Sequence, residues 1–222
     1  KEERKNADAL IAACPILRLT NGGTDEWILE DPQDCLEALE ELQIAQESLS
    51  FKLEWPEGQK LVLSRPRSFD HLSLKIKQQE DWFEIKGDIK IDEDTVIDFG
   101  HLLKLLNTAE GRFIPLETGK YLSLTNHLKK QLQELQAFVE ETSQGTKIHS
   151  LGSFSLKNLT DKTNAVEGDK GWKQKIKTFK DAETYQPNLP TTLQADLRDY
   201  QQAGFEWISR LSYLGMGACL AD

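Results

Sequence analysis

The stretch LSLKIKQQEDWFEIKGDIKID (72–92) decides the fold class. Its first half alternates strictly, so Leu72, Leu74 and Ile76 fall on one face of a strand and Ser73, Lys75 and Lys77 on the other. After a break at Gln78–Asp81, WFEIKGDIKID (82–92) supplies a second strand, or a bent pair loosened at Gly87. No segment long enough for a crossover helix separates the two runs, so they pair antiparallel. A half-buried antiparallel sheet needs helices on its apolar face, and both flanks provide them.

Upstream, Asp31-Pro32 opens a helix. Asp31 can cap free backbone N–H groups, and proline at the first helical position loses no hydrogen bond. Leu36, Leu39 and Leu42 then form one stripe among Glu37, Glu40 and Glu41. FKLEW (51–55) and KLVLS (60–64) are expected to pair around the turn Pro56-Glu57-Gly58. Downstream, FGHLLKLL (99–106) is a short helix capped by Asp98. GRFIPL and KYLSL form a hairpin across Glu117-Thr118-Gly119. Thr125 or Asn126 caps a helix carrying Leu128, Leu132, Leu135 and Val139 on one side. Residues 51–142 are therefore an α+β unit, preceded by an acidic helical segment at 1–50. Residues 143–190, rich in Ser, Thr, Asn, Gly and Lys, have the character of a connector with short helices. The strongest helical period in the chain follows, at 191–215.

The 222 residues suffice for one large domain or two small ones. No apolar run approaches the roughly 20 residues of a membrane span, and the charged N-terminus does not suit a signal peptide. The only methionine is Met216, so the chain is expected to be a piece of a longer polypeptide. Three cysteines without C-x-x-C spacing give neither a disulfide framework nor a zinc site and suit a reducing cytosol. A formal net charge of −10 argues against a chain-wide nucleic-acid footprint. The charge is uneven, however: residues 1–50 carry four Lys/Arg against twelve Asp/Glu, and residues 147–180 carry eight Lys against three acids.

Candidate chemistry is sparse. DIKIDEDTVID (88–98) lacks the central glycine and closing glutamate of a calcium loop, which leaves a turn with solvated acids. His71, His101, His127 and His149 lie far apart, and no catalytic constellation or metal set is expected. Lys170, Lys173, Lys175 and Lys177 alternate with Trp172 and Ile176, followed by Phe179. Two readings stay open there: a tether whose aromatics dock on a neighbour, or a contact to nucleic-acid phosphates. On the last helix Leu197, Gly204, Ile208 and Leu211 make a stripe widened by Tyr200, Trp207 and Leu214. Gln201 falls on the same stripe. A buried amide needs partners: a backbone group is the plain solution, and the N6/N7 edge of adenine is the sharper one.

LRDYQQAGFEWISRL (197–211), followed by GMGACLAD (215–222), resembles the opening of the Swi/Snf-type ATPases, helicase-like DNA translocases of superfamily 2. Their pattern runs Leu-Arg-x-Tyr-Gln, two residues, Gly, two residues, Trp, then a strand ending in Leu-Ala-Asp, with the Walker A loop next. GMGACLAD has its helix before it, whereas a phosphate loop has the strand first and the helix after. Gly215 is then the helix stop, and Gly217 to Leu220 the first strand of a RecA-like α/β lobe. More loosely, residues 51–142 are similar to the region preceding the ATPase in bacterial members.

The resemblance implies that Gln201, with Arg198 in the same motif, contacts adenine in the intact protein. It also implies use of ATP and Mg2+, action on double-stranded DNA, and a cytoplasmic, nucleoid-associated place in a bacterium. Residues 191–222 would be the start of the ATP-binding domain, truncated before Walker A. The fragment should not hydrolyse ATP or hold it tightly, lacking the lysine and hydroxyl that bind phosphate and Mg2+. Two other expectations stand beside this one: a non-catalytic module in which 51–142 docks a protein partner or restrains the motor, and a structural spacer.

Overall fold

A computed structural model describes residues 2–19, 26–142 and 145–220. The described helices, in chain order, are α1 (Glu2–Ala13), α2 (Pro32–Ala45), α3 (Phe99–Thr108), α4 (Asn126–Gln136), α5 (Ser153–Thr160), α6 (Lys170–Thr184) and α7 (Asp199–Tyr213). The strands are β1 (Val62–Leu63), β2 (Leu72–Gln79), β3 (Trp82–Lys90), β4 (Val96–Asp98), β5 (Phe113–Glu117), β6 (Lys120–Ser123), β7 (Val139–Thr142), β8 (Gly145–His149) and β9 (Ala165–Gly168). The class is α+β with mixed sheets and no barrel.

The larger sheet has the order β7-β8-β3-β2-β9, with β4 pairing the end of β3 that β8 leaves free. The β2–β3 pair is antiparallel over its whole length, from Leu72 opposite Ile89 to Gln79 opposite Trp82. Gly87 faces Leu74 in that register, and a Cβ there would collide with the Ser73 carbonyl oxygen. The strand runs through Gly87 unbroken, so the single-strand alternative holds. Only β9 joins this sheet in parallel, against β2.

One sheet face is apolar, because alternation puts Leu72, Leu74, Ile76, Phe83, Ile85, Ile89 and Ile148 on it. It is covered by Leu102, Leu103 and Leu106 of α3, the leucines of α4 and α5, and Trp172 of α6. The sequence signals that start α2, α3 and α4 operate as expected. Asp31, Asp98 and Thr125 each accept a backbone N–H of the first turn, from Gln33, His101 and Leu128 at 2.7, 3.1 and 3.4 Å. Val139 is not on α4; it starts β7, opposite Ile148.

Two larger expectations about the fold also differ from the structure. The turn at Pro56–Gly58 forms, with Gly58 at φ +76°, but no hairpin flanks it. Phe51, Leu53 and Trp55 pack instead toward α2, and Val62–Leu63 pair in parallel with β6, so the ladder positions of the second arm are already taken. The second difference is the supposed connector. Residues 145–184 supply β8, β9, α5 and α6, and the ladder between β7 and β8 crosses the boundary drawn at 142. The aromatics do dock, but on the sheet of the same body. Trp172 is 4% exposed and meets Phe83 edge-on at 5.2 Å, over Gly168, where a side chain would collide with its indole. The stretch without helix or strand is shorter, residues 185–198.

A second, smaller sheet, β1-β6-β5, stands between the main body and the N-terminal helices. Its hairpin turns at Gly119, with φ +74°. Ile114, Leu122 and Leu124 face the main core, whereas Phe113 and Tyr121 face α2 with Leu36, Leu39 and Leu63. A buried polar knot ties the layers. Arg112 Nη2 donates to Glu40 Oε2 at 2.6 Å, its Nη1 donates to Ser123 Oγ at 3.1 Å, and Ser123 Oγ donates to the other Glu40 oxygen.

Two stability outcomes follow from this packing. Trp172→Ala should cost about 3–5 kcal/mol in urea unfolding, since it empties the contact between α6 and the sheet. Arg112→Met should cost a similar amount, about 3–5 kcal/mol, by leaving the Glu40 carboxylate buried and unpaired. The double variant Glu40→Leu/Arg112→Met should recover most of that loss, and the urea midpoints of the three proteins measure it.

Candidate functional site

The residues singled out in the sequence lie on α6 and α7. Helix α7 begins at Arg198, whose extended backbone (φ −67°, ψ 156°) makes it the N-cap. Its N–H donates to Gln201 Oε1 at 3.0 Å, and its guanidinium Nη1 reaches the Tyr200 hydroxyl at 3.4 Å. Gln201 thus satisfies one of the first-turn N–H groups that a helix leaves open. The helix stops where Gly215 takes φ +72°. There Gly215 N donates to Ser212 O and Met216 N to Leu211 O, the paired bonds of a Schellman motif.

Gln201 is exposed rather than on a burying face. The cause is that α7 buries no residue fully: Leu197, Gly204, Leu211 and Leu214 of its apolar stripe are half-buried, and Tyr200 and Trp207 are 66% and 47% exposed. What holds α7 to the body lies on its other side. Tyr213 stacks on Tyr185 at 4.8 Å, and Arg210 Nε donates to the Tyr185 carbonyl at 3.4 Å. Gln201 Oε1 retains a second lone pair, and its amide nitrogen has no partner among the described residues, so the donor–acceptor edge is open. Residues 216–220 form no strand, because no described strand lies beside them to complete a ladder. Ala221 and Asp222 lie outside the described residues.

On α6, Asp169 caps the helix by accepting from Trp172 N at 2.8 Å, and its second oxygen accepts from Gln78 N at 3.0 Å. This fixes the helix against β2 and sets its rotation. Trp172, Phe179 and Ala182 are buried. Lys170, Lys173 and Lys177 fall on the opposite, exposed face. Lys175 leaves the set: it is half-buried, with its ammonium 5.5 Å above the Phe179 ring. Lys180 joins instead, and the signal for it was the interval of three, four and three residues along 170, 173, 177 and 180. None of these four makes an ion pair among the described residues, and they span about 15 Å at roughly 1.5 Å per residue.

Elsewhere polar groups have local partners. His71 Nδ1 accepts from Ser68 N at 3.2 Å, and His149 Nδ1 from Leu151 N at 3.2 Å, so both imidazoles close turns. In the acidic stretch, Asp92 Oδ1 accepts from the N–H groups of Asp94 and Thr95 at 3.0 and 2.7 Å, closing the turn between β3 and β4. Among the described residues no group of three or more His, Cys, Asp or Glu could hold a metal ion, and no helix is long and apolar enough to cross a membrane. Comparison with known protein families, with curated proteins and with solved structures returns no match. The likeness to the Swi/Snf-type ATPases therefore rests on its own residues, 197–222 and, more loosely, 51–142.

The Asp92 turn carries a pH signature. The Thr95 side chain, then the Asp94 N–H, hold the carboxyl below its ordinary value of 3.8, with lesser help from the Thr95 N–H and Arg67. A depressed folded-state value means the stabilisation is complete above the unfolded value and is lost as pH falls through the folded one. An NMR titration should therefore place the Asp92 midpoint below 3.8, and Asp92→Asn should flatten the acid limb of stability below about pH 4.

Proposed function

We propose that this chain is the accessory region and first ATPase helix of a bacterial Swi/Snf-type, DNA-dependent ATPase. Residues beyond it would complete a RecA-like lobe whose first strand is Gly217–Leu220. The observation that carries the reading is α7 itself. It displays the Leu-Arg-x-Tyr-Gln spacing with Gln201 exposed, and it leaves Tyr200, Trp207 and Ile208 of its apolar stripe in solvent. A stripe of that kind suits a helix made to pack on a further layer.

In this reading Gln201 offers one acceptor and two donor hydrogens to the adenine edge, and Arg198 places it by giving up its N–H to the same oxygen. The chain then supplies the contact to the base, and the parts of the completed lobe that resemble Walker A would hold the phosphates and Mg2+. Lys170, Lys173, Lys177 and Lys180 add a short cationic stripe beside the motor that fits duplex phosphates. Four such contacts would give a salt slope of up to about −3.6 in log K against log salt.

The test extends the chain through its downstream coding sequence and measures ATP hydrolysis with and without duplex DNA. Stimulated turnover is expected, and Gln201→Ala should lower kcat/KM for ATP by about 10- to 100-fold, the worth of a paired base-edge contact. An extended protein that neither binds nor hydrolyses ATP would overturn the assignment. Binding of duplex DNA by the same protein, weakened by Lys170→Gln/Lys173→Gln/Lys177→Gln/Lys180→Gln, reads the stripe separately.

A further inference from the structure

The N-terminal layer holds an apolar cleft of about 590 Å3 between α2 and the irregular segment 51–61. Its walls include Leu39 and Leu42 of α2, Leu29, Phe51, and two tryptophans, Trp27 and Trp55. The cause of the cleft is the hairpin that does not form. Phe51, Leu53 and Trp55 turn their side chains toward α2 without a strand partner to draw them flat, and they meet the helix incompletely.

We infer that this cleft is a docking site for a basic amphipathic helix of a partner protein. Size alone would also admit a small ligand, since pockets of roughly 300–1,000 Å3 hold them. Small-ligand sites, however, present free polar groups that fix orientation. Here the charged lining groups neutralise each other, Lys52 Nζ lying 2.8 Å from Glu54 Oε1, and the Cys35 thiol is spent on the Leu29 carbonyl at 3.4 Å. What surrounds the cleft is negative charge. The chain from Glu26 to Glu57, which builds most of the cleft, carries ten acids; Lys52 pairs with Glu54, Arg65 with Glu47 and Arg112 with Glu37 and Glu40, which leaves six acids with no cationic partner among the described residues. Glu26, Glu30, Asp31, Glu54 and Glu57 are exposed. Burial, with Asp34 and Asp31 close by, raises the Cys35 thiol above its ordinary value, which fits a negative potential at the floor. An apolar slot inside an acidic rim selects a helix with leucine- or aromatic-type anchors on one face and lysines or arginines beside them.

Cys35 lines the cleft, whereas Cys219 is exposed outside it and Cys14 is buried, so alkylation localises any binding. The probe is a synthetic helix of leucine and lysine with one apolar face, and its control replaces lysine with glutamate. With the full chain, the lysine peptide should slow iodoacetamide labelling of Cys35 at least about fivefold, with a Kd on the order of 10 μM. Cys219 labelling should stay unchanged. Raising salt from about 50 to about 250 mM should weaken the protection several-fold. Glu26→Lys/Glu30→Lys changes only exposed positions beside the lining residues Trp27 and Leu29, so it should fold and lose most of the protection. The proposal is overturned by no binding, by binding that leaves Cys35 labelling unchanged, or by equal protection from the glutamate peptide.

Discussion

The β5–β6 hairpin is a wall shared by two hydrophobic cores, and the buried pair of Glu40 with Arg112 holds it in place. Strand alternation makes the sharing possible, sending Ile114 and Leu122 one way and Phe113 and Tyr121 the other. Apolar contact alone would let α2 slide along that wall, because burial is not directional. A carboxylate reached by a guanidinium and by the Ser123 hydroxyl is directional, and a one-residue slip would strand a charge in the interior. The knot therefore trades stability for register. It also fixes where α2 stands relative to segment 51–61, and so the width of the cleft between them.

The larger sheet shows the same economy of faces. Its apolar face is fully roofed by helices, while the reverse face is a set of charged rows. Lys77, Glu84, Lys147 and Glu140 alternate in sign across four strands. Beside them, Glu167 meets Lys75 at 3.0 Å and Lys86 meets Glu84 at 3.0 Å. Opposite charges on facing strands favour this register over its neighbours, and the charges keep the open face from associating. On α6, Lys170, Lys173, Lys177 and Lys180 make no ion pair among the described residues. Like charges three and four residues apart mildly oppose a helix. Asp169 at its cap and Trp172 at its base supply the stabilisation that lets α6 carry them.

What was legible in the sequence was local. Caps at Asp31, Asp98 and Thr125, the alternation of 72–77, and the glycine turn at 119 each depend on neighbours within a few residues, and each appears as expected. What was illegible was set by distant partners. Val62–Leu63 looked like a hairpin arm, yet β6 claims its backbone. Ala165–Gly168 is too short and too plain to announce a strand, and only β2 makes it one. The lysine pattern at 170–180 concealed an amphipathic helix, because its composition suggested a tether while its Trp172, Ile176, Phe179 spacing carried the fold. At the site, spacing located Gln201 correctly on α7 but assigned it to a buried face. That error came from assuming that an apolar stripe is always covered by the residues present.

The uncovered stripe is where fold and function meet. Helices α2 to α6 each bury apolar side chains in a core, α6 included despite its lysines. Among the described α-helices after α1, α7 alone buries no side chain, and its aromatic stack and its hydrogen bond to the body both go to Tyr185, the residue that caps the end of α6. A helix of 15 residues with exposed Tyr200, Trp207 and Ile208 gains little from such an attachment and would fray without a further surface. The Gln201–Arg198 bond at its start and its Schellman stop are nonetheless both made, so the element is specified at its ends by its own sequence. A segment specified locally and partly exposed on its apolar face fits the proposed reading, in which a further layer receives it. The Gln201 edge stands beside that face, so whatever covers the stripe also decides what the amide can reach.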